Sequence, residues 1–310
     1  MKSWTVATMA LVAVAASQAR PPKPVLVYEG AFEIPTPNLA GAVAVSPDGS
    51  RITALYGDED EAGRYVEKLY LIDTRAPKKR RLLLSAKGVD AVAWSPDGRR
   101  LAVASSDGIT ILEGLDPWFQ THAVDRLSLA ADSPMLFSAR GDWLLAHRAH
   151  GGAGDFFHLR FDRLHPPVAT EIHLEEAFIA SLIRYPGDSI AVVGQGVAVG
   201  ADGRIVSVKP TGTIGLYSVH SDPPAEWPWF LTFDMDTVSV NNGEVLEVTG
   251  TRAWLENVLT GRRISLKWPK RRRIVWVQAT GPASFLVQAD DETLLRGKYD
   301  RFRRYRLEWR

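Results

Sequence analysis

The chain contains no cysteine. That excludes disulfides, thiolate metal sites, a cysteine nucleophile and a lipid-modified N-terminal cysteine. Nor does either sign of charge dominate: Lys and Arg together number 37 against 36 Asp and Glu, for a net charge of +1. Nothing in that balance would gather nucleic acid globally. Beyond the N-terminal segment, no apolar run approaches the roughly 18 residues of a membrane-spanning helix. Helical 3.6-residue periodicity is nearly absent as well. What is present is an ordinary globular balance, 45% hydrophobic and 24% charged, with 10 Trp and 11 Phe to fill a core.

The chain is organised around a repeated hairpin. Val92-Ala93-Trp94-Ser95-Pro96-Asp97-Gly98-Arg99-Arg100-Leu101-Ala102-Val103-Ala104 is an apolar run, a tight turn and a second apolar run. Pro96 presets φ within the turn, and Gly98 supplies the positive φ needed to leave it. Val43-Ala44-Val45-Ser46-Pro47-Asp48-Gly49-Ser50-Arg51-Ile52 is the same unit one repeat earlier. Further turn signals fall at Ala139-Arg140-Gly141, Pro186-Gly187-Asp188, Asn241-Asn242-Gly243-Glu244 and Gly281-Pro282. Their spacing of about 40 to 55 residues is that of propeller blades. The expectation is an all-β chain folded as a single β-propeller over residues 20–310, with six four-stranded blades. The long interval 188–240 leaves room for a seventh, and Gly194 to Gly215 for an extra hairpin turned at Ala201-Asp202-Gly203.

Residues 1–19 read as a secretory signal peptide. Lys2 supplies the positive end, Val6 to Ala16 the apolar core, and Ser17-Gln18-Ala19 the small-x-small cleavage pattern ahead of Arg20. The run is too short for a stable bilayer span, so no transmembrane segment is expected after cleavage. The mature chain opens with Val25-Leu26-Val27-Tyr28-Glu29-Gly30-Ala31-Phe32, a strand-like stretch ahead of the first repeat. It is expected to close the ring as the outermost strand of the last blade, because an unclosed ring leaves bare strand edges. Tyr305 to Trp309 is then expected as a tail or a fifth strand, after a third strand near Thr293 to Lys298.

Ser46-Pro47-Asp48-Gly49 and Trp94-Ser95-Pro96-Asp97-Gly98, each running into an apolar strand, resemble the repeat of TolB-type (WD-repeat-like) β-propellers. Tyr70-Leu71-Ile72-Asp73 is similar to the third strand of that repeat. The resemblance is clear in the first two repeats, about a third of the chain. It implies bacterial export to the periplasm or beyond, and a binding or protein-interaction scaffold with another protein or envelope component as partner. A counterpart of TolB's helical N-terminal domain is not expected ahead of the first repeat. Related propellers precede prolyl-peptidase-like hydrolase domains, but no Gly-x-Ser-x-Gly elbow occurs in this sequence.

The residues capable of chemistry favour structural readings. Asp48 and Asp97 sit where Pro-Asp-Gly turns need a short polar side chain bonding to the backbone. Five of the 7 histidines cluster as His147, His150, His158, His165 and His173, but residues three apart on a strand face opposite sides, so a shared metal is disfavoured. Asp58-Glu59-Asp60-Glu61 lacks the alternating spacing of a Ca²⁺ loop and reads as a solvated hairpin tip. Lys78-Lys79-Arg80-Arg81, Lys270-Arg271-Arg272-Arg273 and the tail from Lys298 to Arg310 read as charged guards of exposed outer strands, with anionic headgroups or acidic polymers as the sharper alternative. Nucleic acid is not an expected partner. A lactonase-like propeller hydrolase with a central metal would draw on asparagines from several blades. Asn38, Asn241, Asn242 and Asn257 are the only ones in the chain. No catalytic, cofactor-binding or metal residue is therefore assigned, no cofactor is expected, and a non-enzymatic role is preferred.

Overall fold

In the computed structural model the described residues are 23–35, 39–59, 62–113, 122–129, 131–148, 154–161, 167–174, 182–185, 187–192, 197–207, 217–219, 229–241, 244–257, 262–266, 273–281, 283–290 and 299–310. The signal-like segment, His150, His165, Asp60, Glu61, Lys270 to Arg272 and Thr293 to Lys298 lie outside them.

Alternating apolar residues broken by Gly, Pro and Asp turns yield strands throughout. The described residues contain no helix and build six four-stranded antiparallel sheets. The first sheet runs β2 (Leu39–Val45), β3 (Arg51–Glu59), β4 (Tyr65–Asp73), β5 (Arg80–Ala86). The second runs β6 (Ala91–Trp94), β7 (Leu101–Ser105), β8 (Gly108–Glu113), β9 (His122–Leu127). The third runs β10 (Ala131–Phe137), β11 (Trp143–Arg148), β12 (Asp155–Arg160), β13 (Val168–His173). The fourth runs β14 (Leu182–Tyr185), β15 (Ser189–Val192), β16 (Val197–Val199), β17 (Ile205–Ser207). The fifth runs β18 (Tyr217–Val219), β19 (Trp229–Asn241), β20 (Glu244–Asn257), β21 (Arg263–Leu266). The last joins both ends of the chain: β22 (Arg273–Gly281), β23 (Ser284–Asp290), β24 (Tyr299–Trp309), then β1 (Pro24–Pro35).

The core lies between sheets. Leu55, Leu69 and Leu71 of the first sheet pack on Trp94, Leu101, Val103 and Leu112 of the second. Ala102, Ile109 and Ile111 meet Phe137, Leu144 and Phe157 of the third, and Trp143, Leu145 and Phe156 meet Ile190, Val192 and Val199 of the fourth. Ile52, Tyr56 and Ile72 close against Ile34, Leu286 and Phe302 of the last sheet. Each fully buried Leu, Ile or Phe contributes about 1.5–3 kcal/mol of transfer free energy. Trp94 is 4% exposed and lies in such a seam, as its inner-strand position predicts.

Ring closure follows the expected route, with a different partner strand. β1 pairs antiparallel with β24 from Pro24↔Trp309 to Pro35↔Tyr299, with the register shifted by a bulge at Glu29 between Tyr28 and Gly30. Tyr305 to Trp309 is neither a tail nor a fifth strand, because it forms the second half of β24, the third strand of that sheet. Tyr305 and Leu307 are buried there at 6% and 4%, which the Arg-rich run Arg301 to Arg306 conceals in a one-dimensional reading.

Two turn assignments are also corrected. Asn241↔Glu244 closes the second and third strands of the fifth sheet, not an inner-strand hairpin. Ala201-Asp202-Gly203 is no extra hairpin, because it joins the third and fourth strands of the fourth sheet, where Val199 pairs with Ile205. In both cases the turn chemistry is right, but a tight turn carries no mark of which strands it joins.

Candidate binding face

The inner-strand hairpins open on one face of the ring, together with the turns between third and fourth strands. In the first turn Gly49 N–H donates to Ser46 O at 2.8 Å, and Ser46 Oγ donates to Asp48 at 2.6 Å while accepting Arg51 N–H at 2.9 Å. The second turn repeats this with Gly98 to Ser95 O at 2.9 Å, Ser95 Oγ to Asp97 at 2.6 Å and Arg100 N–H to Ser95 Oγ at 2.8 Å. The third lacks Pro-Asp-Gly, yet Gly141 N–H bonds Ser138 O at 3.1 Å and Ser138 Oγ reaches Asp142 at 2.9 Å. Glycine is required at these exits, where φ is 68°, 67° and 74° for Gly49, Gly98 and Gly141. Burial pushes the Asp48 carboxyl up, but hydrogen bonds from Ser46 and Ser50 and the Arg51 charge bring it below its usual value. Asp48 and Asp97 therefore hold their turns, as their context predicts.

Successive turns abut. A Cβ on Gly98 would lie 3.8 Å from Pro47, and one on Gly141 3.1 Å from Pro96. Polar latches cross the same seams. Arg100 donates to Gly141 O at 2.6 Å with its guanidinium 5.2 Å from the Phe161 ring centroid. Arg184 donates to Phe137 O at 3.0 Å. Arg304 donates to Thr74 Oγ1 at 2.5 Å across the closing seam. Asp188 carries a φ of 57°, unusual outside glycine. Its carboxylate accepts Arg140 N–H at 3.0 Å and Trp143 Nε1–H at 3.3 Å from the neighbouring sheet. None of these latches is legible in sequence, because each partner lies 40 or more residues away.

The described histidines do not assemble. His158 is 1% exposed, with its ring centroid 4.8 Å from that of Trp143. Burial and the Arg160 charge push its pKa down, against a hydrogen bond to the Gly200 backbone and the Asp202 charge. His147 packs edge-on to Phe156, and His173 Nδ1 lies 2.5 Å from Asp155 on the exposed edge. Among the described residues no three His, Asp or Glu converge as a metal site.

Some members of the described charged runs pair at the surface within the chain. Asp58 pairs with Lys68 at 2.6 Å, and that bond lowers its pKa. Arg80 stacks on Tyr70 and Tyr56 at 4.6 and 5.1 Å. In the tail, Arg306 binds Glu29 at 2.6 Å and Glu308 at 2.8 Å, and Arg310 binds Glu308 at 2.6 Å. Other cations on the turn face remain outward: Arg75, Lys78, Lys79, Arg99 and Arg140 are exposed. Their head groups engage no described residue. The turn carboxylates beside them are exposed as well and bond their own turns, Asp73 accepting Arg75 N–H at 2.7 Å and Asp97 accepting Arg99 N–H at 3.0 Å.

No protein-family model matches the chain, and no curated protein matches it in sequence. Solved structures similar to it include Pyrococcus horikoshii acylaminoacyl peptidase, with 11% identity over 84% of this chain and 43% of that one, at a TM-score of 0.50. The β-propeller domain of the trilobed protease from Pyrococcus furiosus aligns with 12% identity over 84% and 78%, at 0.49. The Myceliophteria thermophila Cps50 (Swd1) β-propeller domain aligns with 9% identity over 89% and 99%, at 0.44. The chain thus spans less than half of the whole peptidase, and at these identities the likeness concerns the fold, a β-propeller.

Proposed function

We propose that this chain is an exported, non-enzymatic β-propeller of the TolB type, which presents its turn face to another protein or component of the bacterial cell envelope. The observation that carries the reading is the division of labour on that face. Its turn carboxylates are committed as acceptors within the fold, while Arg75, Lys78, Lys79, Arg99 and Arg140 point outward without a described partner. A rigid surface with free cations is suited to docking rather than to acid–base chemistry, which needs titratable groups poised at a substrate. The signal-like residues 1–19 and the Ser-Pro-Asp-Gly repeats support the export part.

The test is expression of the full chain in a bacterial host, followed by fractionation and elemental analysis. The expected product begins at Arg20, is recovered from the periplasm or medium, and carries no stoichiometric metal. One bound Ca²⁺ or Zn²⁺ per chain would support a propeller hydrolase instead. Retention in the cytoplasm with an intact N-terminus would overturn export.

A further inference from the structure

We infer that His158 is a pin for the outer hairpin of the fourth sheet, and that protonating it releases β16–β17 while the rest of the ring stays closed. The first observation is where the imidazole sits. It belongs to β12 of the third sheet and is 1% exposed, beside the ring of Trp143. Across the seam it meets the β16–β17 turn: it hydrogen-bonds the Gly200 backbone, and a Cβ on Gly203 would lie 3.7 Å from its Nδ1. That bond favours the protonated ring, so His158 donates and the Gly200 carbonyl accepts. Gly200 O also accepts Gly203 N–H at 2.9 Å. One carbonyl therefore closes the turn and anchors it to the neighbouring sheet.

The second observation is how little else holds that hairpin. β16 and β17 have 3 residues each, the shortest third and fourth strands among the six described sheets. β16 pairs with β15 only from Ile190↔Val199 to Val192↔Val197, and β17 with β16 only from Val197↔Ser207 to Val199↔Ile205. Ile205 and Val206 are 46% and 47% exposed, so β17 adds little apolar burial. Segments with few buried contacts open locally at a fraction of the global stability. Other parts of the same seam are held separately, by Asp188 on Arg140 and Trp143 and by Arg184 on Phe137. They need not part when the hairpin does.

The third observation is what a proton would meet. With Nδ1–H committed to Gly200, it must enter at Nε2, which is buried with no hydrogen-bond partner among the described residues. Register sets Leu145 of β11 and Thr170 of β13 beside His158, and neither they nor Trp143 carry a charge. On β12 itself, Arg160 repels a proton on the ring. In the turn Asp202 attracts one, but it is shared with Arg204, whose Nε lies 3.4 Å away and whose N–H it accepts at 3.0 Å. Burial and Arg160 prevail, so the closed hairpin selects neutral imidazole. A released imidazole meets water and takes up its proton near the ordinary 6.5. The closed state is therefore secure above about that pH and lost as pH falls through the lowered value of the buried ring. Release bares Ala198 and Val199, both 0% exposed in the closed ring.

The experiment is hydrogen exchange read by mass spectrometry on the purified protein at about pH 7.5 and about pH 5, on either side of the histidine range. Rates are normalised to those of an unfolded chain at each pH. Protection over residues 197–207 should fall by roughly threefold or more on acidification, its size set by the ratio of proton affinities in the open and closed states. Protection of β6 and β7 should hold. In His158→Gln, which can still donate to Gly200 but cannot titrate, the fall should vanish. Thermal melts at the higher pH establish that each variant is folded. Asp202→Asn keeps an acceptor for Arg204 N–H and removes an attractive charge, so its hairpin should open at a lower pH than that of wild type. That arm tests the pin even where His158→Gln does not fold. An equal fall in His158→Gln, a fall of the same size in β6 and β7, no fall in wild type, or an Asp202→Asn hairpin opening at the same or a higher pH would overturn the inference.

Discussion

Asp188 offers the sharpest test of how the sheets are held to one another. It has a φ of 57°, and its two carboxylate oxygens take Arg140 N–H and Trp143 Nε1–H from the next sheet. Trp143 is only 1% exposed, so its indole N–H has little access to water as a substitute. Replacing Asp188 with Ala removes both acceptors and strands a buried donor, which costs about 1–3 kcal/mol. Ala must also hold the left-handed backbone without a short polar side chain to stabilise it, adding about 1 kcal/mol. The sum, about 2–4 kcal/mol, corresponds to a fall in Tm of about 3–7 °C for a domain of this size. Asp188→Asn keeps one acceptor oxygen in a residue that tolerates this backbone, and should cost about 1 kcal/mol. Asp188→Gly relieves the strain but not the lost bonds, and should fall between the two. Calorimetric melts of the three variants at neutral pH decide the matter. An Ala variant within about one degree of wild type, or an Asn variant less stable than Ala, would refute the latch, given the usual conversion of stability to Tm.

Trp94→Ala should lose about 3–5 kcal/mol by opening a cavity between the first and second sheets, read as a shift in denaturant midpoint. A midpoint unchanged within error would remove Trp94 from the seam. Deleting residues 20–34 strips nearly all of β1 from β24 and should lower the cooperativity and midpoint of the whole melt. A wild-type melt would show that β24 closes the ring unaided. The depressed pKa of His158 makes the folded state favour neutral imidazole, while the unfolded chain binds a proton near pH 6.5. Its contribution is therefore present above about pH 6.5 and lost as pH falls through the folded-state pKa. Wild-type stability should drop on acidification across that window more steeply than that of His158→Gln. Equal slopes would place no linkage on His158.

Much of the architecture was legible because propeller chemistry is local. Alternating apolar residues write strands into the sequence, and Ser-Pro-Asp-Gly writes the turn, with Gly49 and Gly98 at the positive φ that the motif implies. Even the third hairpin, stripped of Pro-Asp-Gly, kept the spacing and the Ser138–Gly141 bond that marks the unit. β1 was recognisable as a strand without a sheet of its own, which is a counting argument and needs no coordinates. The fold class, the inner hairpins of the first three sheets, the burial of Trp94 and the turn roles of Asp48 and Asp97 all come from that local code.

What the sequence could not settle is which segments become neighbours across long separations. Asn241-Asn242-Gly243 is an excellent turn, but whether it follows an inner strand or a second strand depends on pairing with segments tens of residues away. The tail from Tyr299 onward reads as basic and loose until Glu29 and Glu308 neutralise it and Tyr305 and Leu307 turn inward. Asp188 is an ordinary turn aspartate in one dimension, and a clamp on Trp143 only in three. Local sterics and hydrophobic alternation are determined within a few residues, whereas charge compensation and strand partnership depend on distances that only ring closure fixes.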